Sequence, residues 1–175
     1  MIRAFIIGLG SWGQHLVRCC GGEAAGIRFT AAATRTPEKA RDFAVSHGLR
    51  MLDSYEAALA DPEIDAVVLA TPHRQHTGQV IAAARAGKHV FTEKPLGVDA
   101  ASAERAAPAC AEAGVTLGVG YNKRFQPALQ KIHSLIDDCT LGRVLHLERN
   151  FSGPASTASP RAMGGMTPPR ARRAA

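Results

Sequence analysis

A chain of 175 residues, 46% hydrophobic and 21% charged, has room for one ordinary domain with its own core, and for a second only if that one is small or incomplete. Its net charge of +6 does not form a nucleic-acid-binding stripe: of 21 Lys+Arg, five are arginines from Arg149 onward, where there is no acid, so the body balances 16 basic against 15 acidic residues. No apolar run is long enough to span a bilayer, and Met1 leads straight into a strand with no signal peptide, so the expected location is cytoplasmic.

The first element sets the frame. Ala4, Phe5, Ile6 and Ile7 form an apolar, partly β-branched run of the length of a strand buried on both faces. Gly8, Gly10 and Gly13 follow at G-x-G-x-x-G spacing, ahead of a helix that starts near Ser11. In this context the first glycine permits a tight turn, the second lets the backbone approach a pyrophosphate, and the third lets helix and strand pack closely. The helix then aims its free N–H groups and positive dipole end at phosphate. Such a turn also occurs without a ligand; the strand before it and the helix after it favour a dinucleotide.

Ile27 to Thr34 reads as a second strand, and Pro37 to His47 as a helix with Thr36 at the N-cap and Gly48 in the stop position. Where an NAD site usually places a carboxylate for the ribose 2′-OH, this chain has Thr34, Arg35 and Thr36. A guanidinium and two hydroxyls suit a 2′-phosphate, so NADP is preferred over NAD; the alternative is a solvated arginine at a strand end.

Arg50 to Leu52 reads as a short strand, Tyr55 to Ala60 as a short helix, and Ala66 to Ala70 as another buried strand closed by Thr71-Pro72. His73 and His76 follow at a helical start, where His76 either packs or sits over the cofactor. Gln75 to Gly87 is helical, and Lys88 to Thr92 is a strand that ends in Glu93-Lys94-Pro95. A lysine held in a partly dry crevice at a strand's carboxyl edge can exchange a proton with a substrate oxygen; the alternative is a surface ion pair.

Asp99 to Ala113 reads as a helix that Pro108 should kink or split. Thr116 to Val119 is a strand. Pro127 to Cys139 is an amphipathic helix with Leu129, Ile132, Leu135 and Ile136 on one face, and Arg143 to Phe151 alternates as a half-buried strand. Cys19, Cys20, Cys110 and Cys139 lack metal-site or redox spacing and read as free thiols, and no metal is expected.

Five pieces, in this order and spacing, resemble the family of glucose–fructose oxidoreductase, inositol dehydrogenase and rhizopine-catabolism proteins (Gfo/Idh/MocA). They are GLGSWG (Gly8 to Gly13), DAVVLATPHRQH (Asp65 to His76), AGKHVFTEKPLGVD (Ala86 to Asp99), VGYNKRF (Val119 to Phe125) and LGRVLHLE (Leu141 to Glu148). The resemblance implies an α/β fold, with a Rossmann-type doubly wound parallel sheet over residues 1–121 and the start of a truncated α+β substrate domain over 122–151; residues 152–175 depart from it and read, by composition, as a disordered tail. It implies an NAD(P)-dependent dehydrogenase of a sugar, polyol or similar hydroxy compound, homo-oligomeric in full-length relatives, with no nucleic-acid or membrane partner.

In that family Lys94 of the Glu93-Lys94-Pro95 motif would move the hydroxyl proton beside the nicotinamide. Gly8, Gly10, Ser11, Trp12, Gly13, Thr71, Pro72, His73 and His76 would border the cofactor, with Asn122 and Arg124 near the nicotinamide or substrate; Thr34 and Arg35, read from the residues themselves as the 2′-phosphate side of the cofactor site, stand where the family's acidic residue is absent. His73 stands where the family commonly has asparagine. After Phe151 the sequence is dominated by Pro, Ala, Gly and Arg, with no acid and no apolar periodicity, and it reads as a shifted reading frame or a similar gene-prediction fault in a GC-rich coding sequence that cuts short the second domain. Impaired catalysis and poor solubility, from bare Val144, Leu145 and Leu147, are then expected. Two other readings are a non-catalytic NADP-binding module and, more remotely, a nucleic-acid binder using the arginine tail.

Overall fold

A computed structural model describes residues 1–20, 25–148 and 150. The chain divides into two units, Met1–Asn122 and Lys123–Ala175. In the first unit, strands and helices alternate: β1 (Ile2–Ile7), α1 (Ser11–Cys20), β2 (Ile27–Ala33), α2 (Pro37–Ser46), β3 (Arg50–Met51), α3 (Tyr55–Ala60), β4 (Ala66–Leu69), α4 (His73–Arg85), β5 (His89–Thr92), α5 (Ala100–Glu112) and β6 (Leu117–Val119). The strands form one sheet in the order β3-β2-β1-β4-β5-β6, every pair parallel. This is a Rossmann-type doubly wound sheet.

The sheet is buried on both sides because successive residues of its central strands serve opposite cores. In β1, Phe5 joins a cluster with Val67, Leu69, Val80 and Ala106, while its neighbour Ile6 joins Leu16, Phe29, Ala40 and Val68. Phe5 and Ile6 are fully buried, and each contributes about 1.5–3 kcal/mol relative to an exposed side chain. A continuous apolar run is therefore what β1 requires, and an alternating one would fail on one face.

β1 pairs with both β2 and β4, so the direction of winding reverses between β1 and β4. Loops leaving the carboxyl ends of these two strands diverge to opposite faces and leave a crevice between them. The opposite edge is closed by charge. Arg3 donates from Nε and a terminal nitrogen to the Asp65 carboxylate at 3.0 and 2.8 Å, and its main-chain N–H adds a third bond of 2.8 Å. Lys88 Nζ donates to the carbonyls of Asp61 and Ile64 at 2.8 and 2.7 Å.

Two expected local features are not found. Helix α5 runs on through Pro108, so the split, one of the two outcomes expected there, does not occur. Pro108 and Glu104, whose carbonyl loses its N–H partner, are both exposed, so water can replace the missing bond. Thr36 occupies the N-cap of α2 but makes no capping bond; Pro37 at the start of the helix already removes one N–H that would need a partner.

The second unit contains α6 (Pro127–Asp137), on which Ile132 and Ile136 are exposed and Leu129 and Leu135 half-buried. Within the described part of the strand expected over 143–151, residues 143–148 carry no strand pairing, and Val144, Leu145 and Leu147 are exposed. An alternating pattern makes a strand only against a pairing partner, and the described residues supply none here. Arg149 and Phe151 lie outside the described residues, as does the expected disordered tail over 152–175.

Candidate cofactor site

Two adjoining hollows lie at the carboxyl edge of the sheet. One, of about 530 Å³, is bordered by Gly8 and Gly10 after β1, Thr34, Arg35 and Thr36 after β2, Asp53 and Ser54 after β3, and Thr71, Pro72 and Gln75 after β4. The other, of about 330 Å³, is bordered by Trp12, Thr71, His73, Glu93, Lys94, Gly120 and Asn122. Ala70 and Thr71 border both, so the two hollows meet at the end of β4, beside the β1/β4 reversal.

The glycine turn is shaped by two close approaches and one opening. Gly8 has φ +95°, and a Cβ there would overlap the Ala70 carbonyl; a Cβ on Gly13 would overlap the carbonyl of Gly8. A Cβ on Gly10 would meet nothing within 4 Å, so at this point the backbone is open to a ligand. Helix α1 starts at the next residue with no acidic side chain in its first turn, which leaves its N–H groups and positive end free for an anion. The cradle fits a pyrophosphate.

At the end of β2, Arg35 and Thr36 are exposed on the wall of the larger hollow, and the Thr36 hydroxyl is not spent on capping. The same hollow is bordered by Asp53, which sequence reasoning missed. The only signal for it was its place two residues beyond the short β3 segment. Gln75 and Gln79 were missed as well. Thr71 Oγ1 donates to Gln79 Oε1 at 2.6 Å, Gln79 Nε2 to Gln75 Oε1 at 3.4 Å, and the Tyr55 hydroxyl to the Gln79 carbonyl at 2.8 Å. Residues 75 and 79 are one helical turn apart, a spacing that would have placed them on one face of α4.

The smaller hollow brings Lys94 and Glu93 together with Trp12, His73 and Asn122. The Glu93 carboxylate lies over Gly120, where a Cβ would come within 3.0 Å of its oxygen. The alternative, a surface ion pair of Glu93 and Lys94, is not made among the described residues. Among the described residues the Lys94 ammonium has no hydrogen-bond or ion-pair partner, and the side chain is exposed at the mouth of the hollow, not in a dry crevice. The Lys94–Pro95 peptide bond is cis.

Several expected residues stand behind the walls instead of on them. Gly13 is buried beneath Gly8, and Ser11 starts α1 without bordering either hollow. His76 is fully buried and borders neither hollow, its Nδ1 2.7 Å from the Pro95 carbonyl and its Nε2 2.8 Å from the Thr71 carbonyl. Pro95 presents its carbonyl to His76. Arg124 belongs to the second unit, its guanidinium 5.8 Å from the Phe125 ring centre.

A parallel sheet wound in both directions from β1, with an open glycine cradle and a cleft along its carboxyl edge, defines a Rossmann-type nucleotide-binding domain. The family profile described as "Oxidoreductase family, NAD-binding Rossmann fold" (GFO_IDH_MocA) matches residues 2–121, and the chain belongs to this family. It is 34% identical over 145 residues to an inositol 2-dehydrogenase of Rhizobium meliloti (strain 1021), covering 82% of this chain and 43% of that protein.

Among solved structures, it resembles the WlbA dehydrogenase from Bordetella pertussis in complex with NADH and UDP-GlcNAcA, with a TM-score of 0.75, 31% identity, and 81% of this chain and 43% of that one covered. It also resembles KijD10, a 3-ketoreductase from Actinomadura kijaniata in complex with TDP-benzene and NADP, with a TM-score of 0.70, 29% identity, and 78% and 43% covered. The chain thus spans less than half the length of these relatives. A nicotinamide dinucleotide is the cofactor type they support, with both the NAD and the NADP forms represented. No helix among the described residues is long and apolar enough to cross a membrane.

Proposed function

We propose that the chain is the cofactor-binding portion of an NADP-preferring oxidoreductase of sugar- or polyol-like hydroxy compounds. The observation that carries this reading is the shared wall at Ala70 and Thr71, which border both the hollow containing Gly10 and Arg35 and the hollow containing Lys94. A dinucleotide needs such a two-part cleft. In this reading Gly10 and the start of α1 hold the pyrophosphate, Arg35 with Thr34 and Thr36 holds the 2′-phosphate, and the Lys94 side faces the nicotinamide. When bound, the nicotinamide supplies hydride exchange with a carbinol carbon.

The chain's own contribution to chemistry is then the proton. Lys94 stands free at the mouth of its hollow, where its ammonium can donate to a substrate oxygen or, once neutral, accept the hydroxyl proton. Asn122, on the same wall, can hold a second hydroxyl. Homo-oligomerisation and a cytoplasmic location belong to the same reading.

The test is equilibrium titration with NADPH and NADH, on the chain and on Arg35→Ala. Loss of a charge-assisted phosphate contact costs about 1.5–3 kcal/mol, so NADPH affinity is expected to fall roughly ten- to hundredfold and NADH affinity to stay the same. Equal affinities for the two nucleotides, unchanged by the substitution, would remove the NADP preference. The exposure of Lys94 favours a second reading, a module that binds the cofactor without turnover. Measurable oxidation of any polyol by the chain excludes it.

A further inference from the structure

We propose that His76 is a positioning residue that works as an imidazolium, clasping the turn after β4 to the turn after β5 beneath the nicotinamide half of the cleft; this rests on the cofactor reading above. The ring is fully buried, and its two nitrogens face two carbonyl oxygens, Nδ1 to Pro95 at 2.7 Å and Nε2 to Thr71 at 2.8 Å. A carbonyl oxygen only accepts, so each facing nitrogen must carry the hydrogen. Neutral imidazole has one N–H, and one of the contacts would then set lone pair against lone pair. Only the doubly protonated ring satisfies both.

A buried cation is costly unless its hydrogen bonds are complete, and here they are. The positive end of α4 opposes the charge, within the reach of its first turn. The neighbouring titratable group in ring contact is His73, edge-on with 5.7 Å between ring centres. Against these stand two charge-assisted bonds, each about twice as strong as a neutral one.

What the clasp joins gives it a role. The backbone bond from Glu93 N–H to the Leu69 carbonyl, at 3.0 Å, ties the ends of β4 and β5. Past it the two turns are linked by His76 and by the Thr77 hydroxyl on the Leu96 carbonyl at 3.4 Å. Thr71 borders both hollows, and the Pro95 carbonyl directly follows Lys94. The proton on the second ring nitrogen therefore holds Lys94 at a set distance from Thr71.

Two measurements decide it. In the chain labelled with ¹⁵N-histidine, in neutral buffer and assigned against His76→Gln, both ring nitrogens of His76 are expected to show one-bond coupling to hydrogen; one bare nitrogen overturns the imidazolium. The second is titration of His76→Gln with NADPH and with 2′,5′-ADP, which carries the adenosine half alone. NADPH is expected to bind at least about tenfold more weakly, with 2′,5′-ADP within about twofold of the unsubstituted chain. Parallel weakening of both ligands, or of neither, overturns the positioning role. If the unsubstituted chain binds neither ligand, the cofactor reading fails by itself, and the ring spectrum still decides the clasp.

Discussion

The carbonyl oxygen of Gly8 occupies the space that a Cβ on Gly13 would fill. Helix α1 can thus lie against the end of β1 only while residue 13 is glycine. Gly13→Ala must push the helix outward, an overpacking cost of about 1–3 kcal/mol. Gly10→Ala meets open space and should leave stability within about 0.5 kcal/mol, yet its methyl projects into the proposed phosphate cradle. Urea unfolding and NADPH titration of the two variants are expected to separate: Gly13→Ala loses stability, and Gly10→Ala loses affinity at unchanged stability.

Why the turn was legible and His76 was not follows from where each constraint originates. Gly8, Gly10 and Gly13 act on residues within a few positions, so their spacing carries the geometry. The run Phe5-Ile6, buried on both faces, announces a central parallel strand in the same local way. His76 takes its role from the carbonyls of Thr71 and Pro95, the latter 19 residues away and on another loop, and its spacing carries no trace of that. Asp53 enters the cleft only because β3 pairs beside β2, a register the two-residue strand does not advertise. Pro108 and residues 143–148 misled for a related reason: exposure let the helix continue, and the described residues supply no pairing strand for the other.

The Arg3–Asp65 pair makes stability depend on acid. Bonds from the Arg3 guanidinium and main-chain N–H hold the Asp65 carboxyl well below the usual carboxylate range. A group whose folded-state pKa is depressed stabilises the fold above its unfolded value, near 4, and loses that contribution as pH falls through the folded value. Both side chains are more than a third exposed, so the contribution is discounted to about 1 kcal/mol. Asp65→Asn should therefore be less stable than the unsubstituted chain at neutral pH, with the gap narrowing as pH drops below about 4; denaturant unfolding at several pH values reads it.

Helix α5 depends on a capping box. Asp99 Oδ1 accepts from the Ser102 N–H at 2.7 Å, the Ser102 hydroxyl oxygen accepts from the Asp99 N–H at 3.2 Å, and the same helix carries Ala106 and Cys110 into the core. The bonds from Ser102 also lower the Asp99 carboxyl. Asp99→Ala should cost about 1 kcal/mol, or roughly 4 °C in Tm for a domain of this size. Asp99→Ser, which keeps an acceptor, should recover most of it. Calorimetry of the three proteins tests this.

Trp12 offers the most direct test of the central claim, that a nicotinamide dinucleotide lies along this cleft. It is the chain's only tryptophan, and it borders the hollow that contains Lys94. Excitation of Trp12 during titration with NADPH should show its emission quenched and dihydronicotinamide emission rising in step, because the indole and the nicotinamide would share one hollow. Unchanged Trp12 emission at saturating NADPH would contradict the account.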